Sequence, residues 1–258
     1  MPNVRPKKSL GQHFLQDSNI ARKIADALGV VPEQMPVLEL GPGTGILTRE
    51  LIPRYQDRLW VIDIDRESVA WLNGHFPELE GRIISGDFLR YSFDELFPEP
   101  FALIGNFPYN ISSQILFRML EMRNRVPLAA GMFQKEMARR ITAPPGKKDY
   151  GIISVLLQAW YDINYLFEVP PHVFYPPPKV QSAVISLRRN KVETLGCDEQ
   201  FFVRVVKAGF NQRRKTLRNA LKPVCNQGSD LSPAIFDRRA ETLSVDEFIE
   251  LTNRLRTG

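Results

Sequence analysis

The chain has 258 residues, 43% apolar and 24% charged, proportions that belong to an ordinary folded protein and exclude disordered, collagen-like and fibrous sequences. Two cysteines, Cys197 and Cys225, give no disulfide framework, and no apolar run approaches the roughly 20 residues of a membrane helix. Net charge is +5, from 34 basic and 29 acidic residues. The excess is local, because Arg204, Lys207, Arg213, Arg214, Lys215, Arg218 and Lys222 fall in one stretch that contains no acid. Such a stretch implies a polyanionic partner held at one place, or else a solvated helix face. The N-terminus is polar and basic with no signal-peptide core, so the expected setting is the cytoplasm, with no membrane involved.

In chain order, residues 1–16 read as a basic, glycine-containing arm. An amphipathic helix follows, with Ile20, Ile24, Ala27 and Leu28 on one face and Asp17 or Ser18 as its cap. Strands are expected at 36–40, 59–62, 82–85, 101–104 and 128–133, separated by helical or irregular stretches, and that alternation predicts a doubly wound parallel sheet. After Lys135 come a helix, the loop Pro144-Pro145-Gly146-Lys147-Lys148 and a long apolar segment. Residues 180–187 alternate apolar and polar, which predicts a last strand, antiparallel and at the sheet edge. From about residue 190 the chain is helix-rich and basic. The expected division is therefore an α/β domain over 1–190 and a small helical domain over 191–258, with a boundary near 188–193.

The first strand runs into Gly41-Pro42-Gly43-Thr44-Gly45, where bare backbone approaches the crevice at the strand C-termini. A dinucleotide fingerprint would place its third glycine where Ile46 stands, so no pyrophosphate clamp is indicated. Asp63 follows Gly41 by 22 residues, at the end of the second strand, where a carboxylate can accept hydrogen bonds from ribose hydroxyls. The pair fits S-adenosylmethionine better than NAD, with a tight strand-to-helix turn as the plain alternative. Asp87, closing the third strand, reads either as an acceptor for an adenine amino group or as an Asx turn.

Asn106-Phe107-Pro108-Tyr109 follows the fourth strand. The exocyclic amine of a nucleobase is a poor nucleophile because its lone pair is delocalised into the ring. Two acceptors aimed at its hydrogens, the Asn106 side-chain oxygen and the Phe107 carbonyl, would localise that pair toward an incoming methyl group. Pro108 fixes the backbone and Tyr109 offers a face for an unpaired base. Asn106 cannot keep the proton, which must leave to water. An aromatic-proline turn at a strand end is the bland alternative.

Together with these segments, Gly11-Gln12-His13-Phe14-Leu15, Gln134-Lys135-Glu136, 174–184 (FYPPPKVQSAV) and 210–217 (FNQRRKTL) resemble the rRNA adenine N6,N6-dimethyltransferases, the last block their small-subunit branch. The matching blocks span nearly the whole chain. The resemblance implies a Rossmann-like, S-adenosylmethionine-dependent methyltransferase domain and a helical C-terminal domain. It implies transfer of four methyl groups to two adjacent adenines near the 3′ end of 16S rRNA, in a precursor 30S particle, by a monomer. Cofactor contacts carried over by position are His13, Leu15, Gly41, Gly43, Asp63, Asp87 and Asn106. Phe174 is carried over as a second aromatic wall around the target base, beside Asn106, Phe107, Pro108 and Tyr109, with an ordinary core aromatic as the alternative. Arg213, Arg214, Lys215, Arg218 and Lys222 are expected to dock RNA. The family more commonly has Asn at the position of His13, Glu at Asp63 and Leu at Phe107.

His75 and His172 have no companions at metal spacing, so no metal site is expected, and neither cysteine has a neighbouring base. Two other functions use the same fold: the large-subunit dimethyltransferase that confers macrolide resistance, and a non-catalytic RNA-binding assembly or transcription factor. The long basic C-terminal segment argues against the first, and the intact glycine turn and Asn106 motif argue against the second. For the basic stretch, Phe202, Val206 and Phe210 are expected on the buried face of helices that leave Arg213, Arg214, Lys215 and Arg218 near solvent.

Overall fold

The computed structural model describes residues 4–225 and 229–256; the first three residues of the arm, 226–228 and the last two residues of the expected C-terminal domain lie outside them. In chain order the elements are β1 (Phe14–Leu15), α1 (Ser18–Ala27), β2 (Val37–Leu40), α2 (Ile46–Tyr55), β3 (Leu59–Asp63), α3 (Arg66–His75), β4 (Ile83–Ser85), β5 (Ala102–Asn106), α4 (Ser112–Glu121), β6 (Leu128–Gln134), α5 (Lys135–Thr142), α6 (Ile152–Gln158), β7 (Tyr161–Val169), β8 (Phe174–Tyr175), β9 (Ser182–Arg189), α7 (Glu199–Asn211), α8 (Leu217–Ala220) and α9 (Val245–Arg256). They form two compact units, Met1–Ala138 with Ile163–Arg189, and Arg139–Asp162 with Asn190–Gly258.

The first unit is a seven-stranded sheet in the order β4-β3-β2-β5-β6-β9-β7. β4, β3, β2, β5 and β6 are mutually parallel. β2 is buried at every position and β5 at all but Asn106, as strands covered on both faces must be. Each buried Leu, Ile or Val there contributes about 1.5–3 kcal/mol of transfer free energy. Asp17 caps α1, its carboxylate accepting from the Asn19 and Ile20 amides, and Ala21, Ile24, Ala25 and Leu28 are buried beneath it.

β9 is antiparallel to β6 as expected, but it is not at the edge. β7 lies outside it, and with that cover Ser182–Ile185 are buried on both faces. β7 itself is a strand where the sequence suggested only an apolar stretch. Its alternation is blurred because Leu166, on the polar face, is 42% exposed. A second, two-stranded sheet pairs β1 with β8, Phe14 opposite Tyr175 and Leu15 opposite Phe174.

In the second unit α7 and α9 pack around Phe202, Val206, Phe248 and Leu251. Trp160 meets Phe202 edge-on at 6.1 Å and Tyr150 meets Phe210 at 6.0 Å. These rings explain why residues 139–162 group with the helices rather than with the α/β unit, unlike the division at 190 expected from sequence. No helix among the described residues is long and apolar enough to cross a membrane.

Candidate active site

In the order β4-β3-β2-β5-β6, chain direction across the sheet reverses between β2 and β5, and a doubly wound sheet opens its crevice at that switch. Leu40 is opposite Gly105 in the register, so the turn after β2 and the segment after β5 leave the sheet side by side. A cavity of about 380 Å³ opens there, lined by Gly41, Gly43, Asp63, Asp87 and Asn106-Phe107-Pro108-Tyr109 from the strand ends and by Ser9–Phe14 from the N-terminal arm.

Gly41, Gly43 and Gly45 all have positive φ. At Gly43 (φ +57°) a Cβ would also lie 2.9 Å from the Phe14 ring, so the turn and the arm meet only because that side chain is missing. The indole of Trp71, on α3, donates to the Thr44 carbonyl at 3.3 Å and steadies the turn. Asp63 Oδ2 accepts from the Gly43 amide at 3.4 Å and Oδ1 from the Asp65 amide at 2.9 Å. Its carboxylate thus organises the turn as well as facing the cavity. Burial pushes Asp63 up to about 6 against the lowering effect of those two amides. Beneath it Glu39 is buried in β2, and burial pushes it up to about 8 despite a 2.7 Å bond from the Thr48 hydroxyl. Burial thus favours the neutral form of Glu39. Asp87 closes an Asx turn, accepting from the Leu89 amide at 3.0 Å, and lines the cavity.

Asn106 Nδ2 donates to the His13 carbonyl at 3.0 Å, which leaves Oδ1 as the acceptor end of the amide. The Phe107 ring does more than the sequence suggested. It is 2% exposed, stacks obliquely on Phe133 at 4.9 Å, and lies where a Cβ on Gly131 would approach it to 2.3 Å. Its side chain therefore anchors the backbone segment that lines the cavity. Ser112 Oγ donates to the Pro108 carbonyl at 3.0 Å. The Tyr109 hydroxyl is hydrogen-bonded to Ser182 Oγ, and burial raises its phenol against the lowering effect of that bond. One face of the Tyr109 ring carries the His13 ring at 5.5 Å. His13 Nδ1 lies 2.7 Å from the Pro176 carbonyl; a carbonyl only accepts, so Nδ1 carries a proton and donates.

The arm is held by long-range polar ties. Lys7 Nζ pairs with Asp65 at 2.6 Å and Glu67 at 3.0 Å, Gln12 donates to Asp65 at 3.0 Å, and the Gln16 amide donates to the Val173 carbonyl at 2.8 Å. Burial works to raise the Asp65 carboxyl, but the Lys7 and Gln12 hydrogen bonds outweigh it and hold it below the usual carboxylate range. Neither Asp65 nor Lys7 was singled out as a site residue from sequence; only the tertiary pairing reveals them.

Of the expected site residues, the cavity brings together His13, Gly41, Gly43, Asp63, Asp87, Asn106, Phe107, Pro108 and Tyr109. It does not include Leu15 or Phe174. Those two face each other in the β1–β8 pair and are buried in the hydrophobic core; Phe14 lines the cavity instead. Arg213, Arg214 and Lys215 are exposed but sit in a turn after α7, not on a helix, because the Lys215 amide bonds back to the Gln212 carbonyl at 2.7 Å. Arg218 is half-buried and paired with Asp237 at 2.7 Å, which engages the charge expected to meet RNA. Lys222 is exposed at the start of a short 3-10 turn. Among the described residues no group of three or more His, Cys, Asp or Glu could hold a metal ion, and burial raises both cysteine thiols.

Comparison with known proteins follows the same lines. The pattern of the family described as Ribosomal RNA adenine dimethylase matches residues 3–256. Proteins named Ribosomal RNA small subunit methyltransferase A are 55% identical in Bacteroides thetaiotaomicron, covering 99% of this chain and 96% of that one, and 54% identical in Cytophaga hutchinsonii, covering 99% of each. Among solved structures, a dimethyladenosine transferase from Plasmodium falciparum shares the fold with a TM-score of 0.79 at 24% identity, over 95% of this chain and 98% of that one. The 23S rRNA methyltransferase ErmE superposes with a TM-score of 0.71 at 27% identity, over 94% and 99%. With a family match from end to end and a cavity built from the strand-end turns that carry its motifs, the chain belongs to the ribosomal RNA adenine dimethylase family.

Proposed function

We propose that this enzyme methylates the N6 amines of two adjacent adenines near the 3′ end of 16S rRNA to N6,N6-dimethyladenine, working as a cytoplasmic monomer on precursor small-subunit particles. It is an rRNA adenine dimethyltransferase, and S-adenosylmethionine is its methyl donor. The observation that carries the detailed reading is the placement of Asn106 and the glycine turn on adjacent parallel strand ends in one cavity. The residues present fit the cofactor: bare backbone at Gly41 and Gly43 for its tail, Asp63 for the ribose hydroxyls and Asp87 for the adenine amine. The cofactor supplies an electrophilic methyl on a sulfonium.

The chain's own residues supply geometry and polarisation. Asn106 Oδ1 and the Phe107 carbonyl accept the two amine hydrogens and turn the nitrogen lone pair toward the methyl carbon. With S-adenosylmethionine bound, methyl transfer to that nitrogen would leave a proton that the neutral amide of Asn106 and the Phe107 carbonyl cannot keep, so it would pass to water. Tyr109, one face covered by His13 and its hydroxyl held by Ser182, offers its other face to the target base. The exposed cations Arg213, Arg214, Lys215 and Lys222 dock the RNA. Incubation of unmodified small-subunit rRNA with labelled cofactor, followed by mass spectrometry, is expected to place four labelled methyl groups on two adjacent adenines. Label confined to large-subunit rRNA would overturn the small-subunit assignment.

A further inference from the structure

We infer that the loop at 144–148 and the turn at 213–215 form one composite surface that grips the phosphate backbone of structured RNA, with Lys147 and Lys148 as phosphate ligands and Arg213 as the strut that sets the loop. The inference rests on the rRNA-docking reading above and extends it to a segment about 65 residues away in sequence.

Both segments belong to the second unit. The Arg213 guanidinium donates to the Lys148 carbonyl, so an arginine of the basic turn spends part of its hydrogen-bonding fork on the loop. From the other side the Gly146 amide donates to the Glu241 carbonyl at 2.7 Å. The Tyr150 amide bonds back to the Lys147 carbonyl at 3.1 Å, and the buried Tyr150 ring anchors the end of the loop in the helical core against Phe210. Pro144 and Pro145 restrict its start. The loop is therefore pinned at its start, middle and end, while Lys147, Lys148, Arg213, Arg214 and Lys215 are all exposed. Three acids lie in the same region, Asp149 at the end of the loop, Glu241 whose carbonyl holds Gly146 and Glu247 close enough to Tyr150 to raise its phenol, and five exposed cations outweigh them.

The partner's chemistry follows from that layout. Cations on a pinned loop and an adjoining turn suit a fixed, closely spaced row of negative charges, which a structured RNA backbone presents. Arginine forks and lysine ammonium groups both bind phosphate oxygens. Each neutralised phosphate releases counterions, at about 0.9 in the slope of log K against log salt for a duplex.

The test is a salt titration of binding to unmodified small-subunit rRNA by the full chain, for wild type, K147Q/K148Q, R214Q/K215Q and, as a control cation in the same unit, K191Q. The loop variant is expected to bind roughly tenfold more weakly at low salt and to lose about 1–2 from the slope, with cofactor affinity and melting temperature unchanged. The turn variant should behave alike and the control like wild type. If the loop variant matches wild type while the turn variant weakens, the composite surface is wrong and the docking reading stands. If neither weakens, both fall, and the charge serves an acidic partner other than RNA. A loop variant with a lowered melting temperature and an unchanged salt slope would also overturn the proposal, since the loop would then be structural.

Discussion

The two walls of the cavity are built in different ways. The strand-end wall, with Gly41, Gly43, Asp63, Asp87 and Asn106, is positioned by a parallel ladder whose register is locked by burial on both faces. The opposite wall, Ser9–Phe14, is an arm held by two residues of strand pairing and a handful of polar ties. The first wall is rigid through apolar packing worth several kcal/mol per turn of chain, the second through contacts that are each worth about 1 kcal/mol or less. The proposed catalytic groups sit on the wall held by apolar packing, and the wall proposed to admit cofactor and base is the one held by weaker contacts. Asn106 joins the two, one end of its amide holding the His13 carbonyl.

The largest expected effect is at that joint. Asn106→Ala should lower methyl transfer by on the order of 10²-fold or more, as for loss of one preorganised polar contact, with cofactor binding retained though weakened; single-turnover assays with labelled cofactor check it, and near-normal turnover would break the assignment. On the rigid wall, Asp63→Ala should weaken cofactor binding by about 1.5–3 kcal/mol in calorimetry, with a smaller change in rate at saturation. Unchanged affinity would reduce Asp63 to an organiser of the glycine turn. Gly43→Ala tests where the walls touch: a left-handed φ and a Cβ against Phe14 should cost roughly 1–2 kcal/mol of stability, read by chemical denaturation. An unstrained variant would mean that the arm gives way freely.

The pH dependence reports on the strand-end wall. Asp63 is raised to about 6, so its accepting, ionised form is lost as pH falls through 6, and cofactor affinity should be about tenfold lower at pH 5 than on the plateau above pH 7. Asp63→Asn should remove that limb. The smallest effect is expected at Lys7→Ala, which cuts a solvent-screened ion pair and should leave global stability almost unchanged. Its signature is faster hydrogen exchange of the amides at 12–16 with β2 and β5 unchanged; uniform exchange would show that the arm and the sheet open together.

The α/β alternation, the glycine turn, Asp63 and the Asn106 motif were legible in the sequence because each is local: a buried strand followed by bare backbone or an acid has few other meanings. Other features were not. β9 reads as an edge strand until β7 covers it, since alternation reports which residues are buried and not which strand does the burying. Leu15 and Phe174 entered the site by resemblance, yet the β1–β8 register sets them opposite each other and both are buried in the core. Arg218 looks like a docking cation until Asp237 is seen beside it.

Sequence by itself determined the sheet, the family and the chemistry available at its strand ends, because hydrophobic period, turn glycines and catalytic side chains are written within a few residues of one another. Tertiary structure alone decided how the arm closes the cavity through Asp65 and Pro176, which way the Asn106 amide points, and which basic residues remain exposed to meet a polyanion. Those outcomes depend on pairings between residues tens to more than a hundred positions apart, and no local pattern encodes a partner at that distance.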